Sequence, residues 1–481
     1  MGRIVVSVQK PLNGPSQVTL LEPSDHKDAD TPAVLPTGDP KTIQAILDKI
    51  NAIPLSPDAI RAVGMDLINL LLTHPAIKDV VLPLLDQKNQ NPGPVYLLLR
   101  DPDLEQLPWE ALYAPNLGFI SCDQRFPVAR AQKVADRKPE AVFVPPLKIM
   151  AIMGASGTDA LTRLSAADEW ASLYASLKTT KLNVRLKVLV CEEDLKTAID
   201  AQKQDWIETA FLATEDEQQR DVFQVIRDFS PHVLHFFCHG VATPFPRLEV
   251  GTQLDWERQQ PGSIQIEGMQ LRQRADPNEN VWLITLNCCE SALKGDAGGS
   301  RSLPMASSLV TAGFPAVIGM RERVESDLAH LFCREFYDTL LRDLTTRIEK
   351  AAAGAVKEIH WACALYAARQ RICQTLIATQ PYTESAGNLK EWTIPVLFTR
   401  LQSFGLRLVS TQENAAPVFR PNPAAPPPVA GPKPRLTQKE IHDLAEEMEQ
   451  LLADKEKFIK LKPVVARIDK RIKEIEAELD A

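Results

Sequence analysis

His232-Val-Leu-His-Phe-Phe-Cys-His-Gly240 is an apolar, aromatic run that ends in an imidazole and a glycine. A short apolar run with turn chemistry at its end reads as a strand buried on both faces. Gly240 permits a sharp exit and close approach by another backbone. Similar runs occur at Val95–Leu99, Leu147–Met153, Val184–Cys191, Val281–Leu286 and Pro315–Met320. Helical stretches lie between them at Ala166–Leu177, Val222–Phe229 and Ser326–Leu341, and the Ala-rich segment Ala351–Gln374 reads as one more helix packed on the sheet. This alternation predicts an α/β fold: a mostly parallel sheet sandwiched by helices, with chemistry gathered beyond the carboxyl ends of its strands.

A second strand, Val281-Trp-Leu-Ile-Thr-Leu-Asn-Cys-Cys-Glu-Ser291, also runs into reactive side chains. If it neighbours the first, an imidazole and a thiol meet at one sheet edge. A thiol at its free pKa is only a few per cent thiolate at pH 7, and a nearby His can lower that pKa or carry its proton. From the residues alone, His239 and Cys289 could be a catalytic dyad or two buried groups without shared chemistry. His235, inside the strand, reads as a hydrogen-bonded core histidine. Cys191, Cys238, Cys333, Cys363 and Cys373 read as small buried hydrophobes. A zinc site from Cys238, His239, Cys288 and Cys289 is disfavoured because adjacent ligands fit a tetrahedron poorly, so no metal is expected. Gly154-Ala-Ser-Gly157 follows a strand but matches neither GxxxxGK[ST] nor GxGxxG, so neither nucleotide nor any other cofactor is expected.

Composition narrows the field. The 481 residues are 44% apolar, which excludes global disorder. Fifty-four basic against 62 acidic side chains give −8, the wrong sign for a general nucleic-acid binder. Eight cysteines without a CxxC pair argue against a disulfide framework and fit a reducing cytosol. The start, MGRIVVSVQK, has no apolar signal core, and Val6 stands where myristoylation needs Ser or Thr. The long uncharged run Ser302–Met320 contains Pro304, Gly313, Pro315 and Gly319, and reads as a helix followed by a strand, not a membrane span. A cytoplasmic chain without membrane attachment is expected.

Eight prolines between Pro417 and Pro434 make that stretch a semi-rigid polyproline linker. Beyond it, Thr437-Gln438-Lys439-Glu440 reads as a capping box. Apolar residues then recur at Ile441, Leu444, Met448, Leu451, Phe458, Leu461, Val465, Ile468, Ile472, Ile475 and Leu479, a heptad pattern interrupted at Lys455. Pro463 leaves a helical hairpin and one long coiled coil as competing readings. Either would expose an apolar seam to a regulatory protein partner, or to a second copy of the chain.

Five segments, in order, resemble the CHAT domain, the caspase-like domain named for its association with HetF and tetratricopeptide repeats. They are Asp103-Leu-Glu-Gln-Leu-Pro-Trp-Glu-Ala-Leu112, His235-Phe-Phe-Cys-His-Gly240, Leu286-Asn-Cys-Cys-Glu-Ser291, Ser308-Leu-Val-Thr-Ala-Gly-Phe-Pro-Ala-Val-Ile-Gly319 and Trp392-Thr-Ile-Pro-Val-Leu397. The resemblance covers about residues 60–400. It implies a caspase-like sheet with an N-terminal, pseudo-caspase-like half (1–140) and a peptidase domain (141–408). The linker (409–435) and the C-terminal helical hairpin or coiled coil (436–481) would follow.

The activity it implies is cysteine endopeptidase chemistry of the caspase–separase type on a protein substrate. Cys289 would be the nucleophile and His239 the acid, with backbone N–H groups of Gly240 and Cys289 stabilising the oxyanion. Aligning on Glu290 selects Cys289 over Cys288, although the family places a small residue where Cys288 stands. Asp296, on the loop after the nucleophile, is an S1 candidate for a basic P1 side chain, against the plainer reading of a solvated loop carboxylate. Glu110 looks structural. The resemblance further suggests an effector in a prokaryotic defence or signalling system, activated by a partner. The competing class is a catalytically idle caspase-like scaffold. A nucleotide-sensing module is disfavoured by the missing phosphate loop.

Overall fold

The computed structural model describes residues 3–408, less 12–13, 36–39, 53–54, 85–92, 101, 135–139, 158–165, 213–220, 243–245, 277–278, 289–290, 292–295, 298–299, 302, 323–325, 350–353 and 379–388. The described residues up to 374, with 390–408, form a first compact unit. The expected linker (409–435) and helical segment (436–481) lie outside the described residues.

The first unit is organised around a 12-stranded sheet. Its strands in chain order are β1 (Ile4–Gln9), β2 (Gln17–Glu22), β3 (Ala33–Val34), β4 (Val95–Arg100), β5 (Val128–Gln132), β6 (Leu147–Met153), β7 (Val184–Val190), β8 (Ile207–Phe211), β9 (Val233–Phe237), β10 (Leu283–Leu286), β11 (Ala316–Met320) and β12 (Pro395–Arg400). Their order across the sheet is β8-β7-β6-β9-β10-β11-β12-β5-β4-β1-β2-β3. From β8 to β11 every pairing is parallel; β11 and β12 are antiparallel, and β12, β5, β4 and β1 are again parallel to one another. Two parallel blocks of opposite direction therefore meet at β11/β12. The sheet is continuous past residue 140, and β12, from the far end of the unit, pairs with β5.

The central strands β9, β10 and β11 are buried at every position and mostly apolar because both of their faces are covered. Alternation along β9 divides its side chains between two cores. Leu234 and Phe236 join a cluster with Phe223 and Ile226 of the helix Val222–Phe229 and Leu309 of the helix Met305–Thr311. His235 and Phe237 face the other side, towards α1 (Ala166–Thr179) and α2 (Ser326–Glu349). The run Ser302–Met320 is a helix followed by a strand, as its prolines and glycines require.

One expectation is corrected. Residues Ala351–Gln374 are not a single helix: Val356–Ile359 is a strand paired with Phe404–Leu408, and the helix begins at Ala362. Gly354 has φ +79°, a left-handed conformation that stops a helix, and Val356 and Ile359 favour the pleat.

The Leu-Pro-Trp-Glu segment acts as an internal clamp. Trp109 and Glu110 lie in a short 3₁₀ turn, both fully buried. Arg130 of β5 forks onto the Glu110 carboxylate (Nε to Oε1 3.0 Å, Nη2 to Oε2 2.9 Å) and donates to the carbonyls of Glu105 and Leu107. Burial alone would raise the Glu110 carboxyl, but the adjacent Arg130, with Arg369 and Arg321 beyond it, holds it below the usual range.

Candidate active site

The site is built where β9 and β10 run out. They are parallel neighbours in the register Phe236↔Leu286, and the Asn287 N–H continues the ladder to the Phe236 carbonyl at 2.9 Å. The same offset sets Cys238 opposite Cys288. Their sulfurs are 3.3 Å apart, and both side chains are buried in the cluster that holds Phe236 and Leu309. Cys288 is thus a core residue. Asn287 points to the opposite face, donating to Glu169 of α1 and to the Ala329 carbonyl of α2.

His239 opens the short strand His239–Val241, which pairs antiparallel with Arg247–Val250 so that His239 lies opposite Glu249 and Gly240 opposite Leu248. The His239 Nε2 is buried and has no hydrogen-bond partner among the described residues. Cys289 and Glu290 lie outside the described residues. The chain is described again at Ser291, whose hydroxyl donates to the Cys288 carbonyl (2.8 Å) and accepts the Met320 N–H of β11 (2.8 Å). The Ser291 carbonyl accepts the Ala306 N–H at 3.0 Å. Ser291 therefore fixes where the loop leaves the sheet. It stands in the family-like segment, but a serine in a loop carries no sequence signal for that role. The Asp296 backbone pairs with Arg301 in a small hairpin, and its side chain lies outside what the structure describes.

The Gly154–Gly157 turn is packing. The Gly154 N–H donates to the Phe237 carbonyl and its own carbonyl accepts the Gly251 N–H. A Cβ on Gly154 would approach the Gly251 carbonyl oxygen to 2.9 Å, and one on Gly251 would strike the Ser156 side chain. These glycines let the ends of β6 and β9 close against the strand Arg247–Val250.

His235 departs from expectation. It is wholly buried, yet neither ring nitrogen makes an aligned hydrogen bond. Its Nε2 sits 3.0 Å from Glu169 Oε1. Glu169 also accepts from His330 Nδ1 at 2.7 Å and Asn287 Nδ2 at 2.8 Å. Burial would raise the Glu169 carboxyl, but the adjacent imidazoles of His235 and His330 reverse the effect and hold it at about 2. Burial likewise opposes a charged His330, which Glu169 overcomes to raise its pKa. The Cys333 thiol is pushed up by burial and by Glu169. Glu169, His235 and Cys333 offer ligand atoms within 4.8 Å of one another. Both carboxylate oxygens accept neighbouring donors, Nδ2 of Asn287 and Nδ1 of His330. Glu169 and His330 carry no sequence signal for this role, because they meet His235 only in three dimensions.

Parallel strands between helical layers, with His239 and Cys288 just beyond neighbouring carboxyl ends, define an α/β domain whose reactive side chains gather at one sheet edge. A model of the CHAT domain matches residues 61–364, more than half of the chain. The chain belongs to the CHAT family. Structurally it is similar to the separase of the Saccharomyces cerevisiae separase–securin complex, at 10% identity and TM-score 0.32, covering 76% of this chain and 20% of that one. It is also similar to the Arg-specific cysteine proteinase gingipain R, at 9% identity and TM-score 0.32, covering 76% of this chain and 74% of that one. The match thus spans a fifth of the separase chain. A comparison with curated proteins gives no match. No helix among the described residues is long and apolar enough to cross a membrane.

Proposed function

We propose that the chain is a cysteine endopeptidase using Cys289 as nucleophile and His239 as its acid–base partner. One observation carries this reading. An imidazole with an unpartnered, buried Nε2 stands at the carboxyl end of β9, beside the strand that leads into Cys288-Cys289. Because Cys288 is spent in the core and Asn287 faces the other side, alternation favours Cys289 as the thiol that shares the imidazole's face. In this mechanism the Cys289 thiolate attacks the scissile carbonyl and the C–N bond breaks as His239 protonates the leaving amine. Water then hydrolyses the thioester, with His239 accepting its proton. Backbone N–H groups of Gly240 and Cys289 would hold the oxyanion, each worth about 2.7–4 kcal/mol.

Asp296 remains the S1 candidate for a basic P1 side chain. The tail, residues 436–481, is proposed as the handle for a regulatory partner or a second copy, holding the peptidase idle until a signal arrives. An effector role in prokaryotic defence rests on the family resemblance alone. A peptide library incubated with wild-type protein and with His239→Ala tests the activity, using mass spectrometry to find new termini. Cleavage by the wild type alone supports the peptidase. No cleavage, with or without the tail, would support the idle scaffold.

A further inference from the structure

Beneath the carboxyl edge of the sheet lies a polar cluster that the proposed chemistry does not use. Glu169 of α1 is fully buried and draws groups from every surrounding element: Asn287 at the end of β10, His235 of β9, and His330 and Cys333 of α2. Asp168 and Asp327 add longer-range charge around His330. Asn287 spans the cluster by donating also to the Ala329 carbonyl at 3.2 Å. Asn287 precedes Cys289 by two residues and His235 precedes His239 by four. An ionised carboxylate survives burial only where polar groups converge on it, and here Asn287 donates from the end of β10, His330 from α2, and the His235 imidazole of β9 lies 3.0 Å away.

We propose that Glu169 is a positioning residue. Its carboxylate ties the carboxyl ends of β9 and β10 to the two covering helices and so fixes the separation of His239 and Cys289. The inference rests on the dyad reading above. Its importance follows from how steeply reaction rates depend on placement, since an error of about 1 Å can cost a hundredfold. Packing alone would not need a charge at this point, and an apolar residue in place of Glu169 would leave the Asn287 side chain held by the longer bond to the Ala329 carbonyl.

Glu169→Gln would leave His330 without its counter-charge and endanger folding, so the test uses Asn287→Ala. Asp276→Ala is the control, in the turn that precedes β10. Asp276 accepts the Asn280 and Val281 N–H groups and pairs with Arg272 at 2.8 Å, on the approach to the amino end of β10 and so away from the strand end that leads into Cys288. The readout is the rate of Cys289 alkylation by iodoacetamide in the full chain as a function of pH, followed by peptide mass spectrometry, with melting temperatures in parallel. Both variants should melt lower. Asn287→Ala should slow alkylation at pH 7 at least tenfold and move the midpoint of its pH profile, whereas Asp276→Ala should stay within twofold at an unchanged midpoint.

Equal behaviour of the two variants, or an Asn287→Ala profile matching wild type, would overturn the proposal while leaving the dyad intact. If wild-type Cys289 reacts no faster than Cys122, a half-buried free thiol in the turn Ile120–Cys122, the dyad reading fails and the positioning role falls with it. One equivalent of zinc in the purified protein, lost in Cys333→Ala, would also overturn it by making the cluster a metal centre.

Discussion

Glu110→Gln perturbs the buried clamp without changing side-chain volume, so its cost is electrostatic and not that of a cavity. The carboxylate answers three buried guanidiniums: Arg130 in a fork, Arg321 at 4.0 Å, and Arg369 at longer range. Removing one member of a buried ion pair leaves an uncompensated charge and costs about 3–5 kcal/mol. Glu110→Gln leaves three cations facing one another, so its cost belongs at the upper end. Arg130→Met leaves the carboxylate with Arg321 and Arg369, so it belongs at the lower end, although the Glu105 and Leu107 carbonyls also lose their donor. At about 2 °C per kcal/mol for a large domain, the melting temperature should fall by roughly 6–10 °C. Urea unfolding of both singles and the double variant gives the coupling. The double variant should cost clearly less than the sum of the singles. A Glu110→Gln loss below about 1 kcal/mol, or an Arg130→Met loss exceeding it, would refute the reasoning, because a buried carboxylate among three cations cannot be dispensable.

Acid stability should depend on His232, whose imidazole burial, aided by Lys148, pulls down to about 4. A depressed pKa means that the fold holds the neutral ring. The contribution is therefore complete above about pH 6.5 and lost as pH falls towards 4, an amount on the order of 3 kcal/mol. His232→Gln should flatten that part of the stability profile, and an unchanged slope would count against it. Asp296→Ala should selectively slow cleavage after Arg or Lys, measured on matched P1 substrates; equal losses on all of them would make Asp296 an ordinary loop residue. Truncation to 1–410 should leave the sheet folded but change oligomeric state or activator response, read by light scattering and activity. Identical behaviour with the full chain would remove the tail from regulation.

The central sheet was legible because its strands announce themselves. Leu147–Met153 and Val184–Val190 are apolar runs with helical punctuation, and the helix Val222–Phe229 has both bounds in the sequence. Other strands were not. β2, β5 and β8 interleave polar with apolar residues, and only pairing identifies them. Ala351–Gln374 misled because alanine favours helix wherever it stands, while the break depended on Gly354 and on a strand partner some 45 residues away in sequence. In the site, His239 and the cysteine pair were visible as reactive residues at strand ends. Cys288 could be separated from Cys289 structurally only once Cys238 was seen opposite it. Glu169, His330 and Ser291 were illegible because their roles are made by contacts across the sheet, not by spacing along the chain.

The most direct test of the central claim is covalent labelling by a peptidyl acyloxymethyl ketone carrying a basic P1 residue, with the modified residue located by mass spectrometry. Wild type and Cys288→Ala should label at residue 289. Cys289→Ala should not label, and His239→Ala should label at least a hundredfold more slowly, within the range general acid–base catalysis supplies. Labelling at Cys288, or unimpaired labelling of Cys289→Ala, would contradict the assignment of Cys289 as the nucleophile.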